Sequence, residues 1–360
     1  MLKIDCATKD IKILGIELSR LCNFDCTMCN QIHLSQKSEL KEKIWRQTLK
    51  PLYRNILALS IMGGEITFSK NCRNFVSFIV TDHPHIKIST STNGALFDNS
   101  WQEIFLKKGN DVNFSINASN REAYKKINKA DFFSQVAFNL GSLIEKRNNA
   151  KSPLRISASF VILNENFLDI DDFIELCLAK KVDAIYFKCD SYAILPKKNQ
   201  ERIIKLNQTF QKYSLLLDKN IIVGLREFSK IWSKGPKGVN GYKYSPSNSF
   251  CREPWQSLYI NTLGDVSFCC HAKKIGNIYR ESLNYIWCGK KARVFREAVK
   301  NNDYKYCSRS CQQYKIPDNT KTMPAWKKNF EMLGNYLPKA PIPTLEAALR
   351  YAGRKLGSLK

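Results

Sequence analysis

Along the first half of the chain, short apolar runs alternate with longer stretches in which apolar residues recur every three or four positions. The short runs are residues 11–18 (IKILGIEL), 57–64 (LALSIMGG), 85–92 (HIKISTST), 111–118 (DVNFSINA), 155–163 (RISASFVIL) and 183–189 (DAIYFKC). Their length and β-branched content predict strands. Between them, residues 43–56, 72–82, 100–109, 121–148 and 166–181 carry the helical period. Strand then helix, repeated, predicts an α/β fold with a parallel sheet and helices outside it. The near-continuous apolar strands suit a sheet buried on both faces. Right-handed crossovers then build either an open sheet or a full or partial barrel, and periodicity does not choose between them.

The pattern changes after about residue 195. One more helix is expected over 197–219. Residues 221–249 read as a linker, ending in SKGPKGVNGYKYSPSNS, rich in Gly, Pro, Ser and Asn. Beyond it, SLYIN and DVSFC flank a turn containing Gly264 and predict a β-hairpin. The expected organisation is an α/β domain over 1–220, the linker, a small second domain over 250–315, and a basic tail over 316–360. In the tail, LPKAPIP precedes TLEAALRYAGRKLGSLK, a short amphipathic helix expected to pack on the main domain rather than touch a membrane.

Composition narrows the setting. A chain of 360 residues can bury one large α/β core and a small one. No apolar run approaches the roughly 18 residues of a membrane helix. The opening MLKIDCATKD lacks the apolar core of a secretory signal. The expected location is therefore the reducing cytoplasm, where thiols persist. There, 13 cysteines point to metal rather than to disulfides. The net charge of +25, from 57 Lys and Arg against 32 Asp and Glu, favours an anionic partner. No compact basic run is interleaved with aromatics, so nucleic acid is not the favoured partner. The competing class is a nucleic-acid-binding protein stabilised by zinc.

Candidate chemistry begins in ELSRLCNFDCTMCN, directly after the first strand, with Cys22, Cys26 and Cys29. A structural zinc site needs four ligands, and three leave one coordination position open. Soft thiolates select zinc, copper(I) or iron–sulfur, and the spacing alone leaves these open. Polar groups then fall on successive strand ends: Gly63, Gly64 and Glu65; Thr92, Asn93 and Gly94; Ser115 and Asn117; Asn164. The carboxyl edge of the strands is where α/β proteins place their sites. A second thiol set, Cys251, Cys269 or its neighbour Cys270, Cys307 and Cys311, surrounds the hairpin. It could hold zinc or a second iron–sulfur centre. Alternation along the hairpin puts Cys270 with Val266 and Phe268, toward apolar packing.

Over residues 11–195 the cysteine spacing and the GGE tripeptide resemble those of the radical S-adenosylmethionine (SAM) enzymes. The resemblance implies a partial (β/α)6 TIM-like barrel. It implies that Cys22, Cys26 and Cys29 hold three irons of a [4Fe–4S] cluster, with the amino and carboxylate groups of SAM on the fourth. Gly63, Gly64 and Glu65 would receive the amino group, with Asn93 also a cofactor contact. Ser115 and Asn117 would meet the ribose or carboxylate, Asn117 standing where relatives often carry an acid. Met28 would pack on the adenine in place of an aromatic residue. The C-terminal segment resembles the short twitch form of the SPASM domain in Cys251, Gly264, Cys269, residues 275–278, Trp287, Cys307 and Cys311. That implies one auxiliary [4Fe–4S] cluster. The implied partners are a low-potential donor of the flavodoxin or ferredoxin type and a small-molecule or peptide substrate, which the charge makes anionic. A net oxidation is expected. A leader-guided peptide maturase is disfavoured, because no segment resembling a peptide-recognition domain precedes the first strand.

Overall fold

The computed structural model describes residues 7–29, 37–189, 195–234, 250–308 and 311. Ten strands lie among them: β1 (Ile13–Ser19), β2 (Ala58–Gly63), β3 (Lys87–Thr92), β4 (Gly109–Ser115), β5 (Arg155–Ile162), β6 (Ala184–Cys189), β7 (Ile222–Val223), β8 (Ser257–Ile260), β9 (Asp265–Ser267) and β10 (Gly276–Asn277). Each of the six early apolar runs forms one. Of the described residues, 7–23, 37–90, 250–308 and 311 form one compact unit, and 24–29, 91–189 and 195–234 form another.

In the first unit, β1 pairs in parallel with β2, and β2 with β3. On its other side β1 pairs in parallel with β8, Ile13 opposite Ser257 through Ile16 opposite Ile260. β9 and β10 extend this side antiparallel. A strand flanked on both sides has no solvent edge, and Ile13, Leu14, Ile16 and Leu18 are all buried. The helix Lys70–Asp82 starts where Ser69 accepts the Cys72 N–H at 3.2 Å, and it buries Phe75, Val76 and Ile79. Residues 43–56, expected as one helix, form a π-helical turn (Ile44–Thr48) and then a short α-helix (Lys50–Tyr53). Pro51 explains the break: it has no N–H for a helix interior and sits in the first turn of the second piece.

The C-terminal cysteine segment, expected as a separate domain, is joined to β1 by the main chain of β8. Its hairpin turn is tied down as well. Thr262 donates its N–H to Glu17 Oε2 at 3.3 Å, and its hydroxyl meets that of Ser38 at 2.7 Å. Gly264, at φ +76°, makes the turn; a Cβ there would stand 2.3 Å from the Tyr279 ring. The helices Leu283–Cys288 and Lys290–Lys300 cover the hairpin. Between them, buried Arg296 donates to the carbonyls of Pro254 and Trp287, both at 2.7 Å, beside the Phe268 and Trp287 rings.

The second unit is built on β4, β5, β6 and β7, paired in parallel in that order. One face is apolar and buried, with Val112, Phe114, Ile156, Ala158, Phe160, Ile162, Ile185 and Phe187. Helix Ile170–Lys180 packs there, the Phe173 ring 4.8 Å from Phe160. Regular structure also continues into the stretch expected as linker from residue 221. After β7, Gly224 turns the chain at φ +86° into helix Leu225–Lys234, whose Trp232 donates to the Pro196 carbonyl at 2.8 Å. A two-residue strand is too short to show alternation, so the pattern gave no sign of it. The helix expected over 197–219 is two, Gln200–Lys212 and Ser214–Asp218. The remaining linker, 235–249, and the C-terminal tail with its proposed helix lie outside the described residues.

Candidate active site

The first cysteine loop leaves the end of β1, and the division between units falls within it, after residue 23. Cys22, Cys26 and Cys29 are each half-buried. Segment 24–29 is fastened to the end of helix Arg121–Asn128. Phe24 packs edge-on against Tyr124 at 6.2 Å and stacks on Phe132 at 5.7 Å. Thr27 donates its N–H to the Ile127 carbonyl at 2.9 Å, and the Cys26 thiol reaches Asn128 Oδ1 at 3.4 Å. The Cys29 N–H closes a turn onto the Cys26 carbonyl at 3.0 Å, with Met28 half-buried in it.

The glycine pair at the end of β2 lies against the chain leading to that loop. Gly64 donates to the Ser19 carbonyl and Glu65 to the Leu21 carbonyl, both at 2.8 Å. A Cβ on Gly64 would stand 2.0 Å from the Leu21 oxygen. Glycine is therefore required by the backbone that launches Cys22, and not only by an incoming cosubstrate. Glu65 is buried, its Oε1 accepting from the Thr67 N–H at 3.1 Å and hydroxyl at 2.7 Å. Asn93 accepts the Ala95 N–H at 3.0 Å, shaping the turn after β3. Ser115 is half-buried, 3.4 Å from the Ser159 hydroxyl.

Asn117 differs from expectation. It sits at φ +64° and is buried. Its Oδ1 accepts the Val161 N–H at 3.0 Å, and its Nδ2 donates to Asn128 Oδ1 at 3.3 Å. Both ends of the amide are thus committed to internal partners that brace the end of β4 against β5. Asn128 was missed by sequence reading. Fully buried, it touches both Cys26 and Asn117, and it donates to the Ile116 carbonyl at 3.0 Å. The available sign was a polar residue closing an otherwise amphipathic helix.

Around the hairpin, the closing cysteines run beside the end of β9. Ala272 and Cys307 form a bridge, Lys273 donates to the Tyr306 carbonyl at 2.8 Å, and Ser308 donates to that of His271 at 2.6 Å. Cys251 is buried; Cys269, Cys307 and Cys311 are half-buried. Burial pushes the Cys251 thiol up to about 12, with Cys311 and Cys307 adding to the rise. Burial also raises Cys269, with smaller contributions from Cys270, Glu253 and Cys311. Cys307 rises to about 11 through burial and then Cys311. Each thiolate makes its neighbours harder to ionise, so these thiols lie within electrostatic reach of one another. Such a group becomes thiolate when a metal centre compensates its charge. Glu253, whose carboxyl burial pushes up, lies beside them and was not singled out from sequence.

Cys270 is exposed rather than turned toward apolar packing. β9 stops at Ser267, whose hydroxyl donates to the Cys269 carbonyl at 2.8 Å, and the chain turns there. Strand alternation therefore does not extend to residue 270. Among the described residues, no three or more Cys, His, Asp or Glu side chains are gathered as for a single metal ion. Cys72 and Cys177 are buried, their thiols pushed up by desolvation. Cys6 and the side chain of Cys189 lie outside the described residues.

Residues 16–177 match the radical SAM superfamily, and residues 251–312 match the SPASM iron–sulfur cluster-binding domain. The chain belongs to the radical SAM superfamily and carries a C-terminal SPASM domain. The first domain binds a [4Fe–4S] cluster and SAM, and the second binds auxiliary iron–sulfur centres. A probable GTP 3′,8-cyclase of Methanocaldococcus jannaschii is 26% identical over 172 residues, which are 47% of this chain and 56% of the relative. The chain thus spans little more than half the length of that relative. The GTP 3′,8-cyclase of Syntrophomonas wolfei is 24% identical over 294 residues, covering 76% of this chain and 85% of the relative. Among solved structures, Streptococcus suis SuiB bound to SAM is 18% identical with a TM-score of 0.54, covering 78% of this chain and 66% of SuiB. The SAM-bound anSMEcpe is 18% identical with a TM-score of 0.56, covering 90% and 96%. At such identity the likeness shows the fold, an α/β partial barrel. Among the described residues, no helix is long and apolar enough to cross a membrane.

Proposed function

We propose that Cys22, Cys26 and Cys29 hold the cluster that receives SAM, and that Cys251, Cys269, Cys307 and Cys311 hold one auxiliary [4Fe–4S] cluster. When bound, the first cluster and SAM supply a 5′-deoxyadenosyl radical able to remove hydrogen from an unactivated carbon. The protein's part is to orient and to exclude water. The backbone of Gly63 and Gly64, with Glu65, would receive SAM's amino group; Asn93 and Ser115 would be further contacts, and Met28 would pack on the adenine. Asn117 acts one step back, through Asn128, on the loop that carries Cys26.

The reaction best supported is a net two-electron oxidation of an anionic small molecule. The observation that carries it is the match of residues 251–312 to an iron–sulfur cluster-binding domain, with Cys251, Cys269, Cys307 and Cys311 inside it. Four protein thiols leave no auxiliary iron open to substrate, so that centre serves electron transfer. In such an oxidation the substrate radical loses one proton and one electron, and a cluster held by these four thiols would supply an acceptor for that electron. A redox-neutral cyclisation of a nucleotide is a second reading, favoured by the relatives named GTP 3′,8-cyclases. SuiB has been solved with its precursor peptide SuiA and anSMEcpe with the Cp18Cys peptide, which keeps peptide substrates in view. The reducing agent is a flavodoxin- or ferredoxin-type donor, and the reducing cytoplasm suits both it and the thiols.

Product mass decides between the readings. Oxidation gives a product two hydrogens lighter than the substrate, with 5′-deoxyadenosine released in proportion. A product of unchanged mass overturns the oxidative reading in favour of cyclisation.

A further inference from the structure

The second unit has a charged face of which the proposed cofactor contacts use only Ser115. Parallel register sets Asp111 beside Arg155, Asn113 beside Ser157 and Ser115 beside Ser159. It sets Ser157 beside Ala184, Ser159 beside Tyr186 and Val161 beside Lys188. Paired residues of a parallel ladder point to the same side. One side of β4–β6 therefore carries Asp111, Arg155, Tyr186 and Lys188, opposite the apolar face covered by helices.

The centre of this polar face is satisfied internally. Asn113 donates to the Ser159 hydroxyl at 2.9 Å and accepts from Ser157 at 3.3 Å. The charges around it are not balanced. Asp111 is bonded to Arg155 at 3.5 Å, while the buried Arg155 Nε has no hydrogen-bond partner among the described residues. Asp183 is taken by Arg147 and by the Ile156 N–H. Lys188 also faces Asp111, but it forms no hydrogen bond or ion pair among the described residues. This side thus carries two cations, Arg155 and Lys188, and one carboxylate, Asp111.

Lys188 lies one residue from the end of β6. Its pair partner Val161 is the residue whose N–H Asn117 holds. That is the level of the strand ends to which the cofactor contacts were assigned. Lys188 is solvent-exposed, yet burial pulls its ammonium below the ordinary lysine value, with Asp111 opposing. Its ammonium is thus open to water on the same side of the ladder as Arg155.

We infer that Lys188 binds an anionic group of the substrate, a carboxylate or a phosphate. The inference rests on the reading of this strand edge as the reaction site, and it supplies a specificity residue for it. Arg155 adds to the field from deeper in the face, its guanidinium 5.6 Å from the Tyr186 ring.

The probe is pyridoxal 5′-phosphate, an anion that forms an imine with a nearby amine. The full-length, cluster-loaded protein is treated anaerobically with a limiting amount, reduced with cyanoborohydride and mapped by peptide mass. Lys188 is expected to label about tenfold faster than exposed Lys125, because the combined positive field of Lys188 and Arg155 concentrates the anion. Protection by inorganic phosphate identifies a phosphate site, and protection by succinate identifies a carboxylate site. Labelling no faster than Lys125, or protection by neither anion, overturns the inference. SAM cleavage by the same preparation is measured separately. Its failure would remove the proposed enzyme chemistry while leaving the labelling result interpretable by itself.

Discussion

A side chain at Gly64 would collide with main chain, not with a movable side chain. The Leu21 carbonyl oxygen would lie 2.0 Å from the new Cβ. Sequence reasoning makes this glycine an approach route for SAM, so that Gly64→Val would weaken SAM binding more than folding. Geometry reverses the order. Gly64→Val is expected to cost about 3 kcal/mol of stability, seen as a lower Tm of the apo protein, as well as iron from the first cluster. An unchanged apo Tm with lost SAM affinity would restore the first view. Asp111 gives a second residue-scale test. Burial, opposed by Arg155, raises its carboxyl to about 6 from 3.8. A raised folded-state value contributes stability that is full below the unfolded value and is lost as pH rises through the folded value. This contribution therefore disappears between about pH 4 and pH 6, and amounts to about 3 kcal/mol. Asp111→Asn has no such titration. Its stability relative to wild type should shift in its favour by about 2 kcal/mol of that amount between pH 4.5 and 7.5 in denaturant melts, and a constant difference would refute the assignment.

At the level of elements, the hairpin β8–β9 matters because it is both a cysteine carrier and a continuation of the β1 sheet. Its turn is held by Glu17, Ser38 and Tyr279, and Gly264 has neither the space nor the φ for a side chain. Gly264→Ala is expected to cost about 1–3 kcal/mol and to loosen the end of β9, where Cys269 sits. Iron should then be lost preferentially from the auxiliary centre, with SAM cleavage largely kept. Equal loss from both centres would mean that the hairpin supports the whole sheet rather than its own cysteines. The helix Arg121–Asn128 plays a corresponding part for the first loop, since Asn128 and the Ile127 carbonyl tie segment 24–29 to it.

At the scale of the whole molecule, two four-iron centres predict about eight irons per chain prepared without oxygen. Replacing Cys22, Cys26 and Cys29 together by Ala should remove about half and abolish reductive SAM cleavage; full cleavage by that variant would sink the cluster assignment. Cys311→Ala should keep SAM cleavage but lower product formation, and its apo melting curve would show whether the domain still folds. The α/β order, the six early strands, the hairpin with Gly264 and the two cysteine sets were legible in the sequence. Strand alternation, turn glycines and thiol spacing are local properties, set by neighbours along the chain. Other features were decided only by tertiary structure: the joining of β8 to β1, the bracing role of Asn117 through Asn128, the exposure of Cys270, and the gathering of Asp111, Arg155 and Lys188 on one side of β4–β6. Each depends on residues far apart in sequence meeting across a ladder or a helix end. Asn117 and Asn128 are eleven positions apart and share one hydrogen bond, and Thr262 reaches Glu17 across 245. No periodicity records such meetings, because which polar atom is satisfied, and by what, is settled only when the backbone has brought its partners within bonding distance.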